Sequence, residues 1–278
     1  MTKKETNKDH LNDLILEDYH KLSIQVSLNG LSFCILDTIG KKIVKAEKYS
    51  FDNRLNPYEA QKELKRFIKK QQIKDFEFSE VVVVHRNNLF SLVPKVLFDP
   101  NELANYLKFN TKILANDLLE YDEIPAFEMV NVYVPFVNIN NYIYDQFGDF
   151  DFKHHSTVLV ESLLSSNPGS EGICYAYVTA DELDLIILQN KKLLFYNNFS
   201  YKTPEDFLYY LLFTLEQLHL DPNEIKLRLF GAIEEGDPVF TICQDYVQHL
   251  SLYLPGLPDD LLPDETALNA NYLAINAL

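Results

Sequence analysis

The sequence writes one pattern twice. Residues 22–37, LSIQVSLNGLSFCILD, lie over residues 174–189, CYAYVTADELDLIILQ, without a gap, pairing Val26 with Val178, Leu31 with Leu183 and Leu36 with Leu188. In both copies, apolar residues alternate on either side of a turn, which predicts two antiparallel strands. A second turn follows, and Tyr49-Ser50-Phe51 then meets Phe199-Ser200-Tyr201 at the end of a third strand. Next, Asn56-Pro57-Tyr58-Glu59 and Thr203-Pro204-Glu205-Asp206 give the same helix-start signal: a capping oxygen, proline at the first helical position and an acid three residues after the cap. Each helix leads to a dense apolar strand, SEVVVVHR at 79–86 and IKLRLFGA at 225–232. Identities are few, so the weight rests on agreement of alternation, turn placement, cap chemistry and element order. The expected fold class is α/β with two lobes, each a mixed sheet that opens with a three-stranded meander and is flanked by helices.

The turn cluster SSNPGSEG at 165–172 introduces the second meander. Before it, NELANYLKFN, INNYIYDQFG and HSTVLVESLL read as helices and EMVNVYVPF as a strand. The expected organisation is a polar lead at 1–18, a first lobe at 19–150, a second at 151–254 and an extended tail at 255–278, rich in proline and acid pairs.

Composition narrows the function classes. Twenty-five Lys+Arg against 41 Asp+Glu leave a net charge of −16, a field that repels phosphate backbones, so nucleic acid is not an expected partner. The basic stretch at 62–74 carries Leu64, Phe67 and Ile68 at helical spacing and reads as a helix with its lysines in water. Cys34, Cys174 and Cys243 show no ligand-like spacing and read as reduced core thiols. No leader pattern opens the chain, and the longest apolar run, FLYYLLFTL at 207–215, is shorter than the roughly 18 residues of a membrane span. A cytoplasmic address with no transmembrane segment is expected. The helix at 204–219 is apolar nearly all round, which predicts burial against the sheet and the neighbouring lobe, or in an oligomer contact.

Several stretches carry a family resemblance: LVPKVLFDPNELANYLKFN at 92–110, INNYIYDQFGDFDFKHHSTVLVESLL at 139–164, FSYKTPEDFLYYLLFTLEQL at 199–218 and LRLFGAIEEGD at 227–237. With the opening meander, they make the chain resemble an uncharacterised bacterial family, domain of unknown function 3822, over roughly residues 15–250. That family is assigned the actin-like ATPase fold, a duplicated RNase H-like plan shared with sugar kinases, PilM-like proteins and the L-type proteins of type II secretion. The resemblance implies the fold, and the family has no established activity to transfer.

In actin-like ATPases the first hairpin of each lobe clamps phosphate, with an aspartate at the strand end and glycines after it. Here the strand ends carry Ser27, followed by Leu28-Asn29-Gly30, and Thr179, followed by Ala180-Asp181-Glu182. Neither is a carboxylate, and the second turn adds negative charge. The glycine pair under the adenosine is reduced to Gly231 followed by Ala232. The cleft candidates are therefore Ser27, Asn29, Gly30, Thr179, Asp181 and Gly231, although Asn29-Gly30 is explained equally by a plain hairpin turn, and strand-end hydroxyls commonly satisfy local backbone. No catalytic residue, metal or cofactor is expected. His154-His155 reads as structural or helix-capping, because adjacent side chains diverge.

The leading expectation is a non-catalytic scaffold or interaction module with a degenerate nucleotide cleft, working through protein partners, with homo-oligomerisation left open. The alternative is an ATP-binding protein or weak ATPase that uses ATP and magnesium in the interlobe cleft. A third reading, an RNase H-like nuclease with two metals, needs carboxylates on the first strand, where Gln25 and Ser27 stand instead.

Overall fold

A computed structural model describes residues 19–109, 111–114, 116–166, 169–253 and 272–278. The first lobe opens with the expected meander, β1 (His20–Val26), β2 (Gly30–Asp37) and β3 (Lys42–Ser50). Helix α1 (Pro57–Lys70) crosses to β4 (Phe78–His85), which pairs parallel with β1. A small antiparallel sheet of β5 (Phe90–Pro94), β6 (Glu120–Ile124) and β7 (Met129–Tyr133) follows, in the order β5-β7-β6 and carrying the short α2 (Leu103–Leu107). Then come α3 (Val137–Phe147), β8 (Asp151–His154) and α4 (His155–Ser166). The second lobe contains β9 (Ile173–Val178), β10 (Glu182–Gln189), β11 (Lys192–Ser200), α5 (Pro204–Gln217), β12 (Lys226–Gly231), α6 (Pro238–Gln244) and β13 (His249–Leu252), and the described chain ends in α7 (Tyr272–Asn276).

The two large sheets have the same plan, β3-β2-β1-β4-β8 and β11-β10-β9-β12-β13. Their registers repeat as well. Val26 faces Leu31 as Val178 faces Leu183, and the outer hairpins slip register at corresponding places, between Ile35 and Leu36 and between Ile187 and Leu188. Both helix starts form the expected capping box, Asn56 with Glu59 and Thr203 with Asp206, each with proline in the first turn.

Alternation explains which face of each sheet is which. Leu22, Ile24 and Val26 of β1 meet Leu64, Phe67 and Ile68 of α1 in the first core, while Cys174, Ala176 and Val178 of β9 meet Phe207, Leu211 and Leu215 of α5 in the second. The other face of the second sheet is also dry: Tyr175 and Tyr177 pack with Leu159 and Leu163 of α4 and with Tyr272 and Leu273 of α7. All three cysteines are free and buried.

Four features differ from the sequence expectation. The strand Asp151–His154 pairs with β4, so the first sheet draws residues from beyond position 150. The lead at 1–18 and most of the tail lie outside the described residues, but 272–276 are a buried helix rather than extended chain, because Ala274 and Ile275 cover Cys34 while Tyr272 enters the α4 core. Helix α5 is not buried all round: Tyr209 is 60% and Phe213 46% exposed. Finally, β5, β6, β8 and β13 are short strands of four or five residues, too brief for alternation to mark them.

Candidate functional site: the cleft between the hairpin turns

The first turn of each lobe points into the interlobe space, and the two turns meet. The Asn29 amide Nδ2 donates to both carboxylate oxygens of Asp181, each at 3.0 Å. Behind them, each strand-end hydroxyl closes its own turn. The Ser27 Oγ donates to the Gly30 carbonyl at 2.9 Å and accepts the Gly30 N–H at 2.9 Å. In the second lobe, Thr179 Oγ1 donates to the Glu182 carbonyl at 3.1 Å and accepts the Glu182 N–H at 3.1 Å. The backbone repeats the relationship, since Phe51 N donates to Asn29 O and Tyr201 N to Asp181 O.

A cavity of about 330 Å³ lies beside this contact, with Gln25, Lys48, Arg54 and Tyr177 among its walls. Five of the six sequence candidates line it: Ser27, Asn29, Gly30, Thr179 and Asp181. The sixth, Gly231, ends β12 opposite Val178, with φ at +99°. A Cβ there would sit 2.4 Å from the Val178 carbonyl oxygen. The bare backbone at 231 is therefore required by the neighbouring strand, and Ala232 N donates to that same oxygen at 2.8 Å.

Sequence reasoning missed the polar core below the cavity. Arg86 follows β4 and is buried; its Nη2 donates to Asp184 Oδ2 at 2.7 Å and lies 3.3 Å from Glu182, with the guanidinium over the Tyr177 ring. Asp184, fully buried on β10, also accepts from His155 Nε2, Tyr196 Oη and Asn198 Nδ2, all at 3.0 Å. Burial alone would raise its carboxyl, but Arg86 and His155 hold it well below the usual carboxylate range. The available signal was the polar ladder Glu182-Asp184, whose alternation with Leu183 and Leu185 reads as a solvent face. In the fold that face meets the other lobe.

The histidine pair belongs to the same core. His154 Nε2 donates to the Asn87 carbonyl at 3.2 Å, and its Nδ1 accepts from Ser156 at 2.7 Å. Burial, with His155 and His85 nearby, pushes its pKa well below the ordinary histidine value. Asp122 of β6 gathers the backbone N–H of His154 and the hydroxyls of Thr157 and Tyr133, tying the small sheet to the start of α4. Burial raises its pKa to about 6 against those hydrogen bonds. His85, at the end of β4, bonds Asn140 through Nε2 and accepts the Phe136 N–H through Nδ1, and burial lowers it to about 4.

Two lobes of identical strand order with hairpin turns facing across a cleft define a protein of the actin-like ATPase fold. The chain belongs to the family of proteins of unknown function DUF3822, whose profile matches residues 9–250. Among solved structures, it is similar to a Bacteroides thetaiotaomicron protein with actin-like ATPase fold and unknown function, at 21% identity and a TM-score of 0.78 over 92% of this chain and 97% of that one. It is also similar to a structure of the PilM-PilN type IV pilus biogenesis complex, at 13% identity and a TM-score of 0.63 over 92% of this chain and 97% of that one. No curated protein matches the sequence. At these identities the likeness establishes fold. Among the described residues, no helix is long and apolar enough to cross a membrane.

Proposed function

We propose that this protein is a non-catalytic interaction module that acts in the cytoplasm, in which the nucleotide cleft of the actin-like fold has become an interlobe joint. The observation that carries the reading is the Asn29–Asp181 contact. Where the fold family clamps phosphate between two turns, these turns hold each other. A phosphate arriving there would meet the Asp181 carboxylate, and the Ser27 and Thr179 hydroxyls are already spent on their own turns. Gly231 serves the sheet. The residues present therefore do not fit the phosphates of ATP and its magnesium. The likeness to a pilus biogenesis protein in complex with its partner supports a role through protein contacts.

Thermal melting with Mg–ATP tests the proposal. A ligand at a hundredfold over its Kd stabilises by about 2.7 kcal/mol. No shift is expected at millimolar Mg–ATP, and a dose-dependent rise in Tm would replace the proposal with the ATP-binding alternative, for which the 330 Å³ cavity is the supporting observation.

A further inference from the structure

The outer helices of the two lobes stand in equivalent places and carry opposite chemistry. Both begin at a proline, Pro57 and Pro204, so Lys62 corresponds to Tyr209, Arg66 to Phe213 and Lys69 to Glu216. Past its first turn, where Tyr58 and Glu59 are exposed, the exposed face of α1 is a basic island in an acidic chain, made of Lys62, Lys65, Arg66, Lys69 and Lys70. The exposed face of α5 is a stacked aromatic pair, Tyr209 and Phe213 with ring centroids 5.7 Å apart, between the exposed acids Glu205 and Glu216, and the helix has no basic residue.

The grooves beside these helices differ too. Next to α1, a cavity of about 440 Å³ opens against β3, floored by Tyr49 and Phe67 and walled by Glu63, Arg66 and Lys70. The corresponding place in the second lobe is filled: Tyr210, the counterpart of Glu63, stacks on Phe199, the counterpart of Tyr49, at 4.6 Å and 14°. One lobe thus has an open socket with an aromatic floor, and the other a closed groove with an exposed aromatic knob.

We propose that the Tyr209–Phe213 knob of one copy docks in the α1–β3 socket of a second copy. The rings would leave water against Tyr49 and Phe67, Arg66 and Lys70 would lie over or beside them as cation–π partners, and Glu205 and Glu216 would meet the basic rim of α1. The two patches differ, so each added copy leaves one knob and one socket free. Such a heterologous contact builds open chains rather than a closed dimer. The inference deepens the interaction reading by naming the partner. It can fail while the Mg–ATP result still supports that reading.

Sedimentation velocity of the full chain across concentration tests it. Species beyond the dimer are expected to grow with concentration and shrink at high salt. Two variants separate the surfaces: Tyr209→Ser with Phe213→Ser removes the knob, and Glu63→Tyr fills the socket as Tyr210 does in the second lobe. Each alone should be monomeric with a Tm within a few degrees of the wild type, which shows that the fold is intact. Mixed, they should form a one-to-one dimer and nothing larger, because the first supplies only a socket and the second only a knob. A wild type that stays monomeric up to about 1 mM overturns the proposal. Assembly that survives either variant, or a closed wild-type dimer, also overturns it.

Discussion

Asn29 and Asp181 are the same position in the two copies of one structural unit, 152 residues apart like Val26 and Val178, and they hydrogen-bond to each other. A residue touches its own counterpart only on the axis that relates the lobes. The pseudo-twofold therefore passes between the two turns, and the joint on it consists of an amide from one copy and a carboxylate from the other. Identical residues would not pair this way, since two carboxylates repel and two amides lack the charge that strengthens the bond.

The joint predicts a charge swap. Asn29→Asp places two carboxylates face to face and removes a hydrogen bond to a charged group, a loss of roughly 1–2 kcal/mol for partly exposed residues. Asp181→Asn in the same chain restores one amide and one carboxylate with the roles exchanged. Thermal melts should show a Tm drop of a few degrees for the single variant and recovery in the double. Equal Tm values for wild type and N29D would mean that the contact carries no weight.

Asp184 supports a second, deeper joint. Asp184→Leu leaves the buried guanidinium of Arg86 with the Tyr177 ring and the longer ion pair to Glu182 at 3.3 Å, and losing one partner of a buried pair costs about 3–5 kcal/mol. Arg86→Met together with Asp184→Leu and Glu182→Gln removes all three charges of the cluster and should be markedly more stable than D184L alone, by chemical denaturation. Additive losses would show that the three residues act independently.

The difference between these joints and the sheets also marks what the sequence could reveal. Strand order, register and helix caps rest on local signals: alternation around Val26 and Val178, proline after Asn56 and Thr203. These were legible because each copy supported the other. The Arg86–Asp184 core was not, because a polar residue on an alternating strand looks the same whether its face meets water or another lobe. The C-terminal helix at Tyr272 was hidden for a related reason: five residues are too few to display a helical period, and their burial depends on Cys34 and Tyr177, far away in sequence. The exposure of Tyr209 and Phe213 shows the converse, an apolar helix face that composition assigns to the interior and the fold leaves outside.

Acid should act on the buried histidines and on Asp122 with opposite signs. His85 falls from an ordinary 6.5 to about 4 in the fold, so the unfolded chain takes up the proton first, and stability is lost as pH falls from 6.5 towards 4, by roughly 3 kcal/mol for this group. Asp122 is raised from 3.8 to about 6, so the folded chain takes up the proton first and gains stability as pH falls from about 6 towards 3.8. Asp184, held below 3.8, keeps its charge throughout. Melts between pH 7 and 4 should therefore show a shallower decline in His85→Gln and a steeper one in Asp122→Asn, each relative to wild type. The reverse order would contradict both assignments.

Gly231 allows the relic of a nucleotide site to be separated from a demand of the sheet. Its φ of +99° and the 2.4 Å approach of an added Cβ to Val178 O make Gly231→Ala a backbone problem, costing about 1–3 kcal/mol from the conformation alone. Gly236 supplies the control, since its φ is +93° but an added Cβ would meet nothing within 4 Å. G236A should therefore register the strain alone, and G231A the strain plus the collision. His85, which pairs with Val26 as Gly231 pairs with Val178, is not among the positive-φ residues, so the requirement belongs to the second lobe only. Denaturation should rank wild type above G236A and G236A above G231A, with neither variant changing the response to Mg–ATP. If G231A matched G236A in stability yet removed an Mg–ATP shift seen in the wild type, the glycine would be serving a ligand instead of the sheet.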